Sequence, residues 1–174
     1  DDDREAGIVI YYKANGKKIE PDYAWNRKAL INLEAAIKLI QESPDSRVKH
    51  IVIAGFSSPE GSFEVNDRLA FERAVSVKEF IMNKTGIPSE LILLHNGSAD
   101  WRGLRLLIAG SDMPDRDAIL HIIDTMGIWN SKTQKGRMGE IMRYKNGSAY
   151  FYMKENFFPK LRNGAFIRVY YEDK

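Results

Sequence analysis

The sequence predicts an α/β fold of the two-layer α+β kind, a mixed sheet with helices packed on it. Three observations carry this. β-Branched and aromatic runs alternate with segments whose apolar residues recur three and four apart, in the order strand, helix, strand, helix, strand, several helices, strand. The second run has an uninterrupted Ile51-Val52-Ile53 centre, which marks an inner strand covered on both faces. The chain has 174 residues, 44% of them apolar, and a chain of that size buries roughly 70% of its unfolded surface.

The elements follow in order. Gly7 to Ala14 (GIVIYYKA) reads as a strand, stopped by the turn pair Asn15-Gly16. A helix is expected from about Pro21 to Gln41, with Leu30, Leu33, Ile37 and Ile40 on one stripe and Ser43-Pro44 as its stop. Lys49 to Phe56 is the second strand. The loop SSPEGS follows, and Asn66 is expected to cap a helix that runs to about Asn83. Leu91 to Leu94 gives a third strand, ended by Asn96-Gly97. Four apolar stripes, around Trp101–Ile108, Ile119–Met126, Met138–Met142 and Tyr150–Leu161, make the stretch 98–164 mostly helical. Ala165 to Glu172 is the last strand. Right-handed crossovers make the first three strands partly parallel. One sheet face carries the helices, and the other is exposed or partly covered by the 98–164 insertion. The whole is read as a single domain, 1–174, with that insertion between the third and last strands. Its opening, DDDREAG, reads as the cut edge of a longer protein.

Composition excludes several functions. Lysine plus arginine total 26 and aspartate plus glutamate 24, a net charge of +2 that announces no nucleic-acid binder. No apolar run approaches the roughly 18 residues of a membrane helix, so no membrane contact by this segment is expected. Cysteine is absent, which removes disulfides, thiolate metal sites and cysteine nucleophiles. His50, His95 and His121 share no ligand spacing, so no metal and no cofactor are expected.

The loop Gly55–Ser62 (GFSSPEGS) sits between a strand and a helix, where α/β proteins place functional groups. It lacks the features of three catalytic loops. Pro59 stands where a nucleophile elbow needs glycine. No lysine follows Gly61, as a phosphate loop requires. The dinucleotide fingerprint is missing as well. No enzyme is predicted. Two further features stay open between function and structure. Asn130 to Ser148 holds Lys132, Lys135, Arg137, Arg143 and Lys145 against Glu140 alone, either a landing strip for an anionic polymer or a solvated helix face with Trp129 and Tyr144 turned inward. Trp101 is either a binding aromatic or core, and the cluster Tyr150, Phe151, Tyr152, Phe157 and Phe158 reads as core.

The stretch from Ile51 to Phe80 resembles the centre of the OmpA-like C-terminal domain family. The family's strand ends in G-[HY]-[TS]-D, followed by x-x-G-S and N-x-x-L-S-x-x-R-A-x-x-V. Here stand Gly55-Phe56-Ser57-Ser58, Gly61-Ser62, and Asn66, Leu69, Ala70, Arg73, Ala74 and Val77 at the same spacing. Gly86-Ile87-Pro88 and the final Ile167-Arg168-Val169 also fit. The variants SSPEG, DWRGLR and FFPKLRNGAF resemble OmpA-like domains of Bacteroidetes envelope proteins. The insertion is longer than the family's usual last connection.

The resemblance implies a non-catalytic, periplasmic module associated with the outer membrane, which anchors an outer-membrane protein or complex to peptidoglycan through its stem peptide. In the family an Asp grips the ammonium of the peptide's diamino acid and an Arg its carboxylate, a pairing of charge-assisted hydrogen bonds. By that correspondence Arg73 supplies the cation and Ser58 replaces the Asp. The implied ligand-binding residues are Arg73, Ser57, Ser58, Glu60, Asn66 and Arg168. Arg73→Ala is expected to abolish retention on cell-wall sacculi with the fold intact. The alternative is an assembly module that has lost peptidoglycan binding and meets an envelope protein partner through the insertion.

Overall fold

The computed structural model describes residues 7–174; the expected cut edge concerns residues 1–6, outside the described residues. Four strands, β1 (Ile8–Tyr11), β2 (Ser46–Ser57), β3 (Ile92–Ala99) and β4 (Gly164–Asp173), form one sheet in the order β1-β4-β2-β3. β2 and β3 pair in parallel, and β4 is antiparallel to both β1 and β2. β1 therefore runs the same way as β2 and β3, as expected, but β4 lies between. β2 is an inner strand, which accounts for its unbroken apolar centre.

Helices α1 (Asn26–Glu42) and α2 (Phe63–Thr85) cover one face. Register places Ile10, Ile51, Ile53, Ile92 and Ile167 on that face, against Leu33 and Ile37 of α1 and Ala74, Val77 and Ile81 of α2. Each such side chain stabilises the fold by roughly 1.5–3 kcal/mol on burial. Gly55 marks the closest approach of β2 to α2, since a Cβ there would lie 1.9 Å from the Ala70 carbonyl oxygen. The opposite face stays partly open, with Tyr11, Leu93 and Tyr170 exposed.

The insertion folds into α3 (Trp101–Ala109), α4 (Arg116–Thr125), α5 (Arg137–Arg143) and α6 (Ser148–Asn156). These helices pack mainly on one another and own a second core, built from residues such as Leu104, Ile108, Ile119, Ile141 and Met153. Asp100 closes the neck between the two cores. One of its oxygens caps α3, accepting from Gly103 N at 3.0 Å; the other accepts from Arg162 N at 3.2 Å, tying the way in to the way out. Gly103 is needed there, because a Cβ would sit 2.4 Å from that second oxygen. The Arg162 guanidinium lies over Phe56 and Phe166 at 5.2 and 5.0 Å.

Several boundaries differ from the sequence reading, each for a local reason. α1 begins at Asn26, not Pro21, because the Asn26 side chain exchanges two hydrogen bonds with the Tyr11 backbone and fixes the helix start against β1. α2 begins at Phe63. Ser62, not Asn66, is its cap, its hydroxyl accepting from Val65 N at 3.2 Å. Asn96-Gly97 is not a turn: β3 runs through it, and the bare Gly97 makes room for the Phe56 ring, which a Cβ would meet at 2.3 Å. Phe151 is exposed rather than core, while Phe157 and Phe158 are buried.

Candidate functional site

Arg73 sits in the third turn of α2, and its side chain is completely buried. It donates from Nε to Gly16 O (2.7 Å), from Nη1 to Phe56 O (2.8 Å) and Asn163 Oδ1 (2.6 Å), and from Nη2 to Lys13 O (3.2 Å). The guanidinium also lies 5.2 Å from the Tyr12 ring centroid. A guanidinium has five N–H donors, so one on Nη2 makes no hydrogen bond among the described residues. Burial pulls the Arg73 pKa down to about 10, which leaves it charged at neutral pH. Burial also pushes the Tyr12 phenol up to about 12, against the lowering pull of its Ser76 hydrogen bond and of Arg73. Arg73 thus ties the β1 exit to the end of β2 and to the β4 approach. Arg73→Ala would remove the donor of these four bonds, so it is expected to cost stability as well as retention.

Above Arg73 opens a cavity of about 260 Å3. Ser58, Glu60, Asn66 and Arg73 line it, so four of the six predicted residues meet around one space. Glu60 carries the negative charge there. Its carboxylate is 44% exposed and 3.9 Å from Lys154 Nζ of α6. Ser58 Oγ accepts weakly from Glu60 N at 3.4 Å, a serine turn that holds the loop at the rim. Among the described residues, the Asn66 side-chain amide has no hydrogen-bond partner, so its polar atoms are free to serve a ligand.

The other two predicted residues fall elsewhere. Ser57 is buried behind the loop, its hydroxyl 3.0 Å from Asn66 O and 3.4 Å from Ser98 O, where it fastens the loop and does not face the cavity. Arg168 pairs with Val52 in the β2–β4 register and stands on the open face of the sheet, beside the Tyr170 hydroxyl. The parity of Ile167 and Val169, both turned to the helices, excludes it from the site.

Sequence reasoning missed the wall opposite. Asn15, Phe158, Pro159 and Asn163 also line the cavity, so the insertion's exit builds part of the site. Beyond that lining, Lys154 of α6 pairs with Glu60, and burial and secondarily the Glu60 charge raise the phenol pKa of Tyr150, also of α6. The visible signal was Asn163-Gly164, a polar turn pair just before the last strand.

A second space lies across the 58–62 loop. It is an apolar groove of about 180 Å3 between the start of α2 and the insertion. Phe63 and Trp129 stack there at 5.8 Å between centroids, and Arg137 lies 5.0 Å from the Trp101 ring. Trp101 is therefore both core and groove lining. The basic stretch proves to be no helix face: it is a turn, then α5, then a short 3-10 segment. Arg143 pairs with Glu140 and Lys145 with Asp115.

Residues 14–104 match the model of the OmpA family. Outer membrane protein 41 of Porphyromonas gingivalis is 31% identical over 78 residues, 45% of this chain and 18% of that protein; the chain thus spans less than a fifth of this curated relative. Among solved structures, the peptidoglycan-associated lipoprotein from Burkholderia pseudomallei superposes with a TM-score of 0.42 and 18% identity, over 52% of this chain and 69% of that one. The C-terminal domain of Helicobacter pylori MotB gives a TM-score of 0.42 and 12% identity, over 97% of this chain and 84% of that one.

Proposed function

This chain belongs to the OmpA family, and from that premise we propose that it is a non-catalytic anchor of the cell envelope, a single domain that holds an outer-membrane protein or complex to peptidoglycan from the periplasmic side. The observation that carries the reading is the cavity lined by both Arg73 and Glu60, a buried cation and a half-exposed anion in one polar space. A diamino acid of the stem peptide presents one ammonium and one carboxylate at its free end. The carboxylate goes to the Nη2 hydrogen of Arg73 that the backbone leaves unused. The ammonium goes to Glu60, with Ser58 and the Asn66 amide as neutral acceptors.

Glu60 takes the part that an aspartate at position 58 plays in the family pattern. Lys154 competes for it, so binding exchanges an exposed ion pair of little worth for a charge-assisted bond.

Sedimentation with purified sacculi tests this, because the variants involved lie at the rim and leave Arg73 in place. Wild type is expected to co-sediment and to be released by free diaminopimelate. Glu60→Gln should lose most of that retention, and Ser58→Asp should gain it. Retention that ignores both changes and the competitor would refute the site.

A further inference from the structure

The apolar groove across the loop is unused by this reading, and its chemistry differs from that of the cavity. Phe63, Trp101, Ile128, Trp129, Met138 and Met142 supply the large apolar side chains of its lining. Its volume of about 180 Å3 compares with the roughly 150 Å3 apolar cavity that accepts a benzene ring, so one aliphatic or aromatic side chain fills it. Ile128 and Met142 are 40% and 47% exposed, which leaves apolar surface in water. Methionines suit a surface that must adapt to what it receives.

Gly139 is the second observation. It lines the groove from within α5, where glycine weakens a helix. Nothing in the backbone demands it: its φ is not positive, and an added Cβ would meet only the mobile end of Arg143, at 3.4 Å. A local choice that weakens the helix but keeps the groove open fits a site better than a scaffold.

Charge names the occupant. Lys132 and Lys135 lie in the turn between Trp129 and Gly136, both of which line the groove. Both are exposed, and neither makes an ion pair among the described residues. The surrounding stretch 130–148 carries Glu140 as its single acid.

We propose that this groove docks an acidic segment of a partner protein, which buries one apolar side chain among Phe63, Trp129 and Met142 while its carboxylates face Lys132 and Lys135. The groove is a different space from the stem-peptide cavity, with the 58–62 loop between them and Asn66 lining both.

The test uses the whole chain with its methionine methyls labelled for NMR. Three capped pentapeptides serve as probes: Glu-Asp-Phe-Asp-Glu, the same with Ser in place of Phe, and Lys-Gln-Phe-Gln-Lys. The acidic Phe peptide is expected to shift the Met138 and Met142 methyls saturably. The Ser peptide and the basic Phe peptide should bind at least tenfold more weakly. Gly139→Leu fills the groove and should remove the shifts. Lys132→Glu with Lys135→Glu, two exposed changes that leave the fold alone, should weaken the acidic peptide at least tenfold and favour the basic one. The proposal fails if no probe moves those methyls saturably, if the Ser peptide matches the Phe peptide, or if charge reversal changes nothing. It also fails if the methyls respond to phosphatidylglycerol vesicles and to no peptide, which would make the groove a lipid site.

Discussion

Replacing Arg73 by methionine separates its structural part from its binding part. Methionine keeps much of the apolar stem and removes the fork. Three backbone carbonyls, at Lys13, Gly16 and Phe56, and the Asn163 amide oxygen then lose the guanidinium as donor, although Lys13 O keeps its bond from Gly16 N at 2.8 Å. Hydrogen bonds to a charged group contribute roughly 1.5–3 kcal/mol each, so the gross loss is large. Two effects offset it. The charge no longer has to be desolvated, a cost of several kcal/mol. Water from the adjoining cavity also reaches some of the orphaned oxygens. A net loss of about 3–5 kcal/mol remains. For a chain of this size that lowers the thermal midpoint by roughly 6–20 °C. The assay is thermal unfolding followed by circular dichroism, with Arg73→Lys beside it. Lysine restores the charge but cannot bridge four acceptors, so it should recover about half the loss. A midpoint within about 2 °C of wild type for Arg73→Met would refute the reasoning, because it would mean that these carbonyls need no donor.

Other consequences follow from the same structure. Asp100→Ala removes the α3 cap and the acceptor for Arg162 N, a loss of about 2–4 kcal/mol. Hydrogen exchange should show it as faster amide exchange in α3–α6 than in β2, and uniform protection would contradict the two-core account. Gly55→Ala drives a methyl into the Ala70 carbonyl and should cost more than about 4 kcal/mol or abolish soluble expression, whereas Gly127→Ala, with nothing within 4 Å of the new Cβ, should shift the urea midpoint negligibly. Tyr12 titrates near 12 when folded and near 10 when unfolded. Its contribution is therefore complete below pH 10 and is lost as pH rises toward 12, by up to about 1.4 kcal/mol per unit. Absorbance at 295 nm should show its ionisation after that of the exposed tyrosines, and Tyr12→Phe should flatten that part of the stability curve.

The sheet and its helices were legible because their signals are local. Ile51-Val52-Ile53 reads as an inner strand from composition alone, and the stripes of the insertion foretold its helices. What escaped depends on partners distant in sequence. Nothing around Asn26 says that Tyr11 claims its side chain, and nothing around Asn96-Gly97 says that the Phe56 ring needs the space. The site divides the same way. The loop and α2 carry Ser58, Glu60, Asn66 and Arg73 at the spacing of one motif, and the structure brings these four together. Ser57 and Arg168 were misplaced because burial and strand parity, not residue type, decide where a side chain points. The opposite wall comes from Asn15 and from the chain between α6 and β4, about 90 residues from Arg73.

The most direct test of the central claim reads the cavity itself. Asn15, Asn66 and Asn163 line it, and 15N NMR can follow their side-chain NH2 groups. Titration with a stem tripeptide ending in diaminopimelate is predicted to shift the Asn66 and Asn163 signals saturably, and to do so far more weakly in Glu60→Gln. Signals that stay in place while the tripeptide is in excess, or that move equally in Glu60→Gln, would contradict a site built on the Arg73–Glu60 pair.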